Sequence, residues 1–175
     1  DLCSTSSKLL AIIANIRGAN DACNFQEINY LGFPLSVSEE FQKRNTNKSI
    51  DQSLKIVEDI QNLSVRNNKE LVVYLSMAFG NPYKEDCDPD SLVRLIKRLD
   101  DIGVGTIALA DTIGVSNPAN ITLLFSSLIS ECTSIEFGAH FHTTQDSWKE
   151  KVEAAYQTGC RRFDAALKGY GGCPM

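Results

Sequence analysis

Apolar residues along this chain alternate between a period of two and a period of 3.6, and the switches fall at capping residues, prolines and glycines. Leu9 to Ala14 is a short apolar run ending at Asn15, and Ile28 to Phe33 is another, ending at Gly32-Phe33-Pro34. A polar stretch follows from Ser36 to Asn45, with Phe41 as its main apolar residue. Ser49-Ile50-Asp51-Gln52 reads as a capping box. Ile50, Leu54, Val57 and Ile60 then recur at helical spacing and predict a helix to about Asn67. Leu71 to Phe79 is rich in β-branched and aromatic residues and reads as a strand. Asp88-Pro89 offers an N-cap and a first-turn proline to a helix carrying Leu92, Val93, Ile96, Leu99 and Ile102, closed by Gly103.

The same unit then repeats. Thr106 to Ala110 reads as a strand ending at Asp111, and Asn117-Pro118 caps a helix holding Ile121, Leu124, Phe125, Leu128 and Ile129. Ile135 to His142 is the next strand, Ser147 to Gln157 the next helix, closed by Gly159, and Arg161 to Leu167 the last strand. Near-continuous apolar strands alternating with capped helices predict an α/β fold with a parallel sheet. Units of about 25 to 35 residues suit either a βα barrel or a doubly wound sheet. A barrel needs eight strands and about six are legible, so the 175 residues read as one domain forming part of a barrel.

Composition narrows the partners. With 43% hydrophobic residues the chain can bury a sizeable core, and 17 basic against 22 acidic residues leave no basic stripe for nucleic acid. No apolar run approaches the roughly 20 residues of a membrane span. The six cysteines, at 3, 23, 87, 132, 160 and 173, form no C-x-x-C pair, which argues against a zinc ribbon or a disulfide scaffold. Free thiols, mostly buried, and no visible signal peptide point to a cytoplasmic or organelle-matrix setting rather than secretion.

The candidate chemistry sits at strand carboxyl ends, where βα folds collect it. His140-Phe141-His142 contains both histidines of the chain. On a strand, residues two apart share a side, so two imidazoles converge and suit a divalent cation. Asn15 and Asp111 end two other strands, Asn15 reading first as a turn residue and Asp111 as either an acid–base group or a structural acceptor. Gly169-Tyr170-Gly171-Gly172-Cys173-Pro174 places a cysteine on a glycine-rich loop that lets a ligand approach the main chain.

These segments, in this order, resemble 3-hydroxy-3-methylglutaryl-CoA lyases. The loop 169–174 is similar to that family's G-L-G-G-C-P, and Ala110-Asp111-Thr112-Ile113-Gly114-Val115 to its G-D-T-I-G-V. His140-Phe141-His142 resembles its metal-binding H-x-H, and Phe79-Gly80-Asn81-Pro82-Tyr83 its G-C-P-Y. Phe41-Gln42-Lys43-Arg44-Asn45 is similar to its F-x-K-K-N. The resemblance implies a (β/α)8 TIM barrel of which this chain covers about strands 3 to 8. It implies cleavage of an acyl-CoA substrate, 3-hydroxy-3-methylglutaryl-CoA, to acetyl-CoA and acetoacetate with Mg²⁺ or Mn²⁺, and allows a homo-oligomer.

Carried over by motif, His140 and His142 match metal ligands, His140 also matches a proton-transfer residue, Cys173 the catalytic cysteine and Asp111 an active-site aspartate. The family's first-strand Arg-Asp pair and its later asparagine ligand have no counterpart within these residues, and Thr143 stands where the family usually has Asp. Two other readings remain open. One is a Claisen-condensing synthase or aldolase acting on a 2-oxo acid; the other is a barrel that binds without turnover.

Overall fold

A computed structural model describes residues 6–85 and 89–170. Six strands lie in one sheet in the order in which they occur: β1 (Leu9–Ile12), β2 (Ile28–Ser36), β3 (Glu70–Ser76), β4 (Thr106–Asp111), β5 (Glu136–Phe141) and β6 (Arg162–Phe163). Every neighbouring pair is parallel. Six helices connect or follow them: α1 (Ile16–Cys23), α2 (Glu39–Thr46), α3 (Ile50–Arg66), α4 (Pro89–Asp101), α5 (Pro118–Glu131) and α6 (Trp148–Gln157). Sequential strand order with a helix in each crossover is barrel topology, whereas a doubly wound sheet would reverse its order part-way.

Side-chain parity gives the sheet two different faces. Leu31, Phe33 and Leu35 of β2, Val73 and Leu75 of β3, Ile107 and Leu109 of β4 and Phe137 of β5 are buried in one core with Val57, Ile60, Ile96, Leu99, Ile121, Phe125 and Leu128 of the helices. The alternate residues face a concave side, and their contacts show how far the sheet curls. β2 and β6 are four strand spacings apart, about 19 Å on a flat sheet. Yet the Arg162 guanidinium lies 5.4 Å from the centre of the Tyr30 ring. The sheet is an arc of a barrel, with β1 and β6 at its edges.

The predicted caps form. Ser49 and Gln52 exchange both bonds of a capping box, and Asn117 and Asn120 do the same ahead of α5. Two helices were not legible in the periodicity. α1 buries only Ala19 and Ala22, too small a face to register as an apolar stripe, and Asn15 caps it by accepting from the Gly18 amide at 2.9 Å. α2 buries an amide rather than a hydrocarbon. The Gln42 side chain donates to Thr46 and Ser53 and accepts from the Ser36 amide, so its burial costs no hydrogen bond.

β1, β3, β5 and β6 are shorter than expected, β1 ending at Ile12 rather than Ala14 and β5 losing one residue at each end. β3 stops at Ser76 because Met77 takes a φ of +62°, and β6 spans only Arg162–Phe163 rather than reaching Leu167. The Asp88 cap lies outside the described residues.

Unpaired backbone along an edge strand is a template for association. Residues 1–175 expressed alone are therefore expected to aggregate or to melt without a sharp transition. A monomeric sample with one cooperative, reversible melt would count against this.

Candidate active site at the strand carboxyl ends

Phe141, the last residue of β5, packs its ring edge-on against Phe79 and Phe125 at 5.7 and 6.5 Å. Strand alternation then turns His140 and His142, on either side of it, to the concave face. Their ring centres are 5.7 Å apart. Both line a cleft of about 930 Å³ that reaches from Leu10 and Ile12 of β1 to Asp164 just past β6.

Asp164 is the most consequential neighbour of the pair. Its amide donates to the Ala139 carbonyl at 3.0 Å, extending the β5–β6 ladder by one step, and its Oδ2 lies 2.8 Å from Nδ1 of His140. In the neutral tautomer whose Nδ1–H donates to the carboxylate, Nε2 keeps its lone pair. The Tyr74 ring stands edge-on to His140 at 5.6 Å. Its pKa is pushed up to about 12, first by burial, then by the nearby Asp164 charge, against a lowering by Arg162. His140 thus stands between two neighbours on the cleft wall, bonded to Asp164 and in edge-on ring contact with Tyr74.

The other expected site residues fall elsewhere. Asp111 ends β4, but Ala110 and Thr112 are the residues there that face the cleft. The Asp111 carboxylate points to the helix side, with no exposed surface, and pairs with Lys151 of α6 at 2.8 Å. It also accepts from the Ser116 amide and hydroxyl. It lies behind the cleft wall, not on it. Asn15 is a helix cap. Cys173 and its glycine loop lie outside the described residues. Cys132 and Cys160 are buried, and burial pushes both thiols up, as expected of cysteines that pack rather than react.

Sequence reading missed Asp164 and Tyr74. A signal for Asp164 existed, since an acidic residue at a strand carboxyl end was the very criterion applied to Asp111. Extending the last strand to Leu167 placed Asp164 mid-strand and hid it. Tyr74 read as one more aromatic residue of a buried strand, and nothing local distinguishes it.

Among the described residues no group of three or more His, Cys, Asp and Glu side chains is arranged to hold a metal ion. Two imidazoles are available, one with a carboxylate on its far nitrogen. That second bond is the usual arrangement around a metal-bound histidine, where it fixes the tautomer and raises basicity. The donor set fits a divalent cation as part of a fuller coordination shell.

A family model described as HMGL-like matches residues 4–173. The chain belongs to the HMGL-like family. It is 33% identical over 157 residues to the hydroxymethylglutaryl-CoA lyase YngG of Bacillus subtilis, covering 90% of this chain and 50% of the relative. The crystal structure of the B. subtilis HMG-CoA lyase superposes with a TM-score of 0.86 over 94% of this chain and 55% of that one. An HMG-CoA lyase from Acinetobacter baumannii, solved with coenzyme A and 3-methylmalate, is 30% identical with a TM-score of 0.84, over 94% of this chain and 53% of that one. The (R)-citramalyl-CoA lyase of Chloroflexus aurantiacus is 28% identical over 96% of this chain and 53% of its own length. The chain spans about half the length of the curated relatives it matches. The six-stranded arc therefore matches part of the HMG-CoA lyase barrel, and the cleft described above lies on its concave face.

Tyr74 offers a check on this arrangement in the full-length protein. Below pH 10 its hydroxyl is protonated whether the chain is folded or not; between pH 10 and about 12 it ionises in the unfolded chain while staying protonated in the fold. Its stabilising contribution is thus present below that window and lost across it as pH rises. Tyr74→Phe is expected to flatten the fall in stability between pH 10 and about 12, measured by urea unfolding. Parallel curves for the parent and the variant would mean that Tyr74 is not buried against Asp164.

Proposed function

We propose that this chain forms part of a carbon–carbon lyase site that cleaves 3-hydroxy-3-methylglutaryl-CoA to acetyl-CoA and acetoacetate, with Mg²⁺ or Mn²⁺ held in part by His140 and His142. The observation that carries this reading is the His140–Asp164 bond beside His142 in a strand-end cleft of an HMGL-like barrel. A divalent cation bound there would lower the pKa of the substrate's tertiary hydroxyl and polarise a neighbouring carbonyl.

The chain's own residues supply the rest. Asp164 holds the His140 ring through Nδ1, so Nε2 is the one nitrogen offered to the cleft. That nitrogen serves a cation or a proton at one time, never both. We assign it to the cation, because the carboxylate on the far nitrogen is what a ligating histidine needs. The cleft lining is uneven: Leu10, Ile12, Pro34 and Phe41 lie on the β1–β2 side together with Lys8, Tyr30 and Asn45, and His140, His142 and Asp164 on the β5–β6 side. A substrate with one apolar branch and several oxygens is oriented by that division, with its hydroxyl and carbonyl oxygens against the histidines.

Cleavage then requires three movements. The hydroxyl proton leaves to a base, the bond between the hydroxyl-bearing carbon and the thioester α-carbon breaks, and the resulting thioester enolate takes up a proton. Cys173 is the donor for that last proton by its position in the motif. Acetoacetate and acetyl-CoA are the two products, and no redox partner is needed.

Acetoacetate release from 3-hydroxy-3-methylglutaryl-CoA by the full-length protein, assayed with and without Mn²⁺, tests the reading. Release should require the cation and fall by about 10² or more in Cys173→Ala, as expected when a general acid is lost. His140→Ala and His142→Ala should each weaken Mn²⁺ binding by about tenfold or more. Citramalyl-CoA is assayed beside it, because the Chloroflexus relative is named for that substrate. Turnover of citramalyl-CoA alone would keep the reaction class and replace the substrate. No turnover of either by a folded, Mn²⁺-bound protein would overturn the lyase reading.

A further inference from the structure

Lys151 is an ammonium at 4% side-chain exposure on the second turn of α6, behind the cleft wall, with no role in the chemistry above. Its Nζ donates to Asp111 Oδ2 at 2.8 Å, to the Gly114 carbonyl at 3.2 Å and to the His142 carbonyl at 3.3 Å. An ammonium has three protons, and all three are used. Asp111 is immobilised in turn. Its two oxygens accept from the Ser116 amide at 3.1 Å, and Oδ2 accepts from the Ser116 hydroxyl at 2.5 Å. Gly114, at a φ of +72°, closes the Asp111–Gly114 turn and brings it close to His142: a Cβ at Gly114 would lie 3.5 Å from the His142 carbonyl oxygen.

The place of the third bond matters most. The β4–β5 pairing ends at Asp111↔Phe141, so His142 is the first residue of the β5 segment beyond the ladder. The Lys151 bond anchors its carbonyl there. A buried ion pair is a poor source of stability, since an apolar pair of similar volume often serves as well or better. Its geometry, however, is exacting, and here that geometry reaches the backbone of a cleft histidine.

We infer that Lys151 is a positioning residue: held by Asp111, it fixes the main chain of His142 and so sets where that imidazole stands relative to His140. Asp111 supplies the counter-charge of the buried ammonium, while the bond to the His142 carbonyl is made by Lys151 alone. The value of the effect for catalysis rests on the lyase reading; the anchoring itself does not.

The test uses the full-length protein and three variants. Asp111→Asn leaves the ammonium bonded to Gly114 and His142 but without its counter-charge. Asp111→Asn/Lys151→Met removes both charges and the anchor together. Asp111→Asn/Lys151→Leu is a second neutral replacement, so that the claim does not hang on one variant folding. Amide hydrogen exchange over 142–145 in metal-free protein should be about tenfold faster in the double variants and close to the parent in Asp111→Asn.

Titration with Mn²⁺ alone should show about tenfold weaker binding in the doubles, at the low end for groups that support a metal ligand. Melting should follow the opposite order, with Asp111→Asn the least stable and the doubles recovering. A merely structural pair would move exchange, affinity and melting together. Unchanged exchange in both doubles overturns the inference. So does an Asp111→Asn variant that loses as much anchoring as the doubles, because the carboxylate would then be the anchor. If the parent binds no Mn²⁺ the lyase reading falls, and exchange alone decides the role of Lys151.

Discussion

The packing of Phe141 is the constraint on which the cleft depends, because in a strand the side of one residue fixes the sides of its neighbours. Its ring meets Phe79 and Phe125 on the helix side of the sheet, and pairs of this kind are worth about 0.5–1.5 kcal/mol each beyond the area they bury. A slip of one residue in β5 would turn Phe141 into the cleft and both imidazoles into the core. Burying two unpartnered imidazoles while exposing a phenyl ring is unfavourable on both counts, so the register that makes the core also makes the site. The β4 ladder, in register from Thr106↔Glu136 to Asp111↔Phe141, locks that choice one strand away.

The same parity separates two aspartates of identical position. Asp111 and Asp164 both stand at strand carboxyl ends, yet Asp111 falls on the helix side and Asp164 in the cleft. Asp111, with no exposed surface, bonds a lysine and a serine and does not line the cleft. Asp164, about a third exposed, meets a histidine and a tyrosine, groups that can exchange protons with a substrate or hold what holds it. Strand-end position marks where chemistry can occur, and the odd or even count along the strand decides whether it does.

That distinction explains what was legible in the sequence. Helices with broad apolar faces, such as α3 and α4, and strands with uninterrupted apolar runs declare themselves by period, and with them the parallel α/β sheet. The histidine pair was legible because i and i+2 is itself a strand period. Asp111 was overread because its motif marks a turn: Thr112 accepts the Met77 amide at 2.8 Å, Asp111 takes the Ser116 amide, and Gly114 supplies the positive φ. Those residue types serve the backbone as well as they would serve a substrate, and spacing alone cannot separate the two uses. α1 and α2 were invisible for the opposite reason, since one buries alanines and the other an amide.

The floor of the arc explains why chemistry stays at one end. Arg162 lies in the cleft one inward-facing position deeper than Asp164, but its guanidinium reaches Glu136 at 2.9 Å and stacks over Tyr30, whose hydroxyl accepts from Lys8 at 3.2 Å. Gly138 makes this possible: a Cβ there would come within 3.1 Å of the Arg162 stem. Both cations are thus committed to partners on the floor. On the same cleft wall, nearer the strand carboxyl ends, stand His140, His142, Tyr74 and Asp164. In βα folds it is this end that the crossover loops surround, and they can vary there without disturbing the core beneath them.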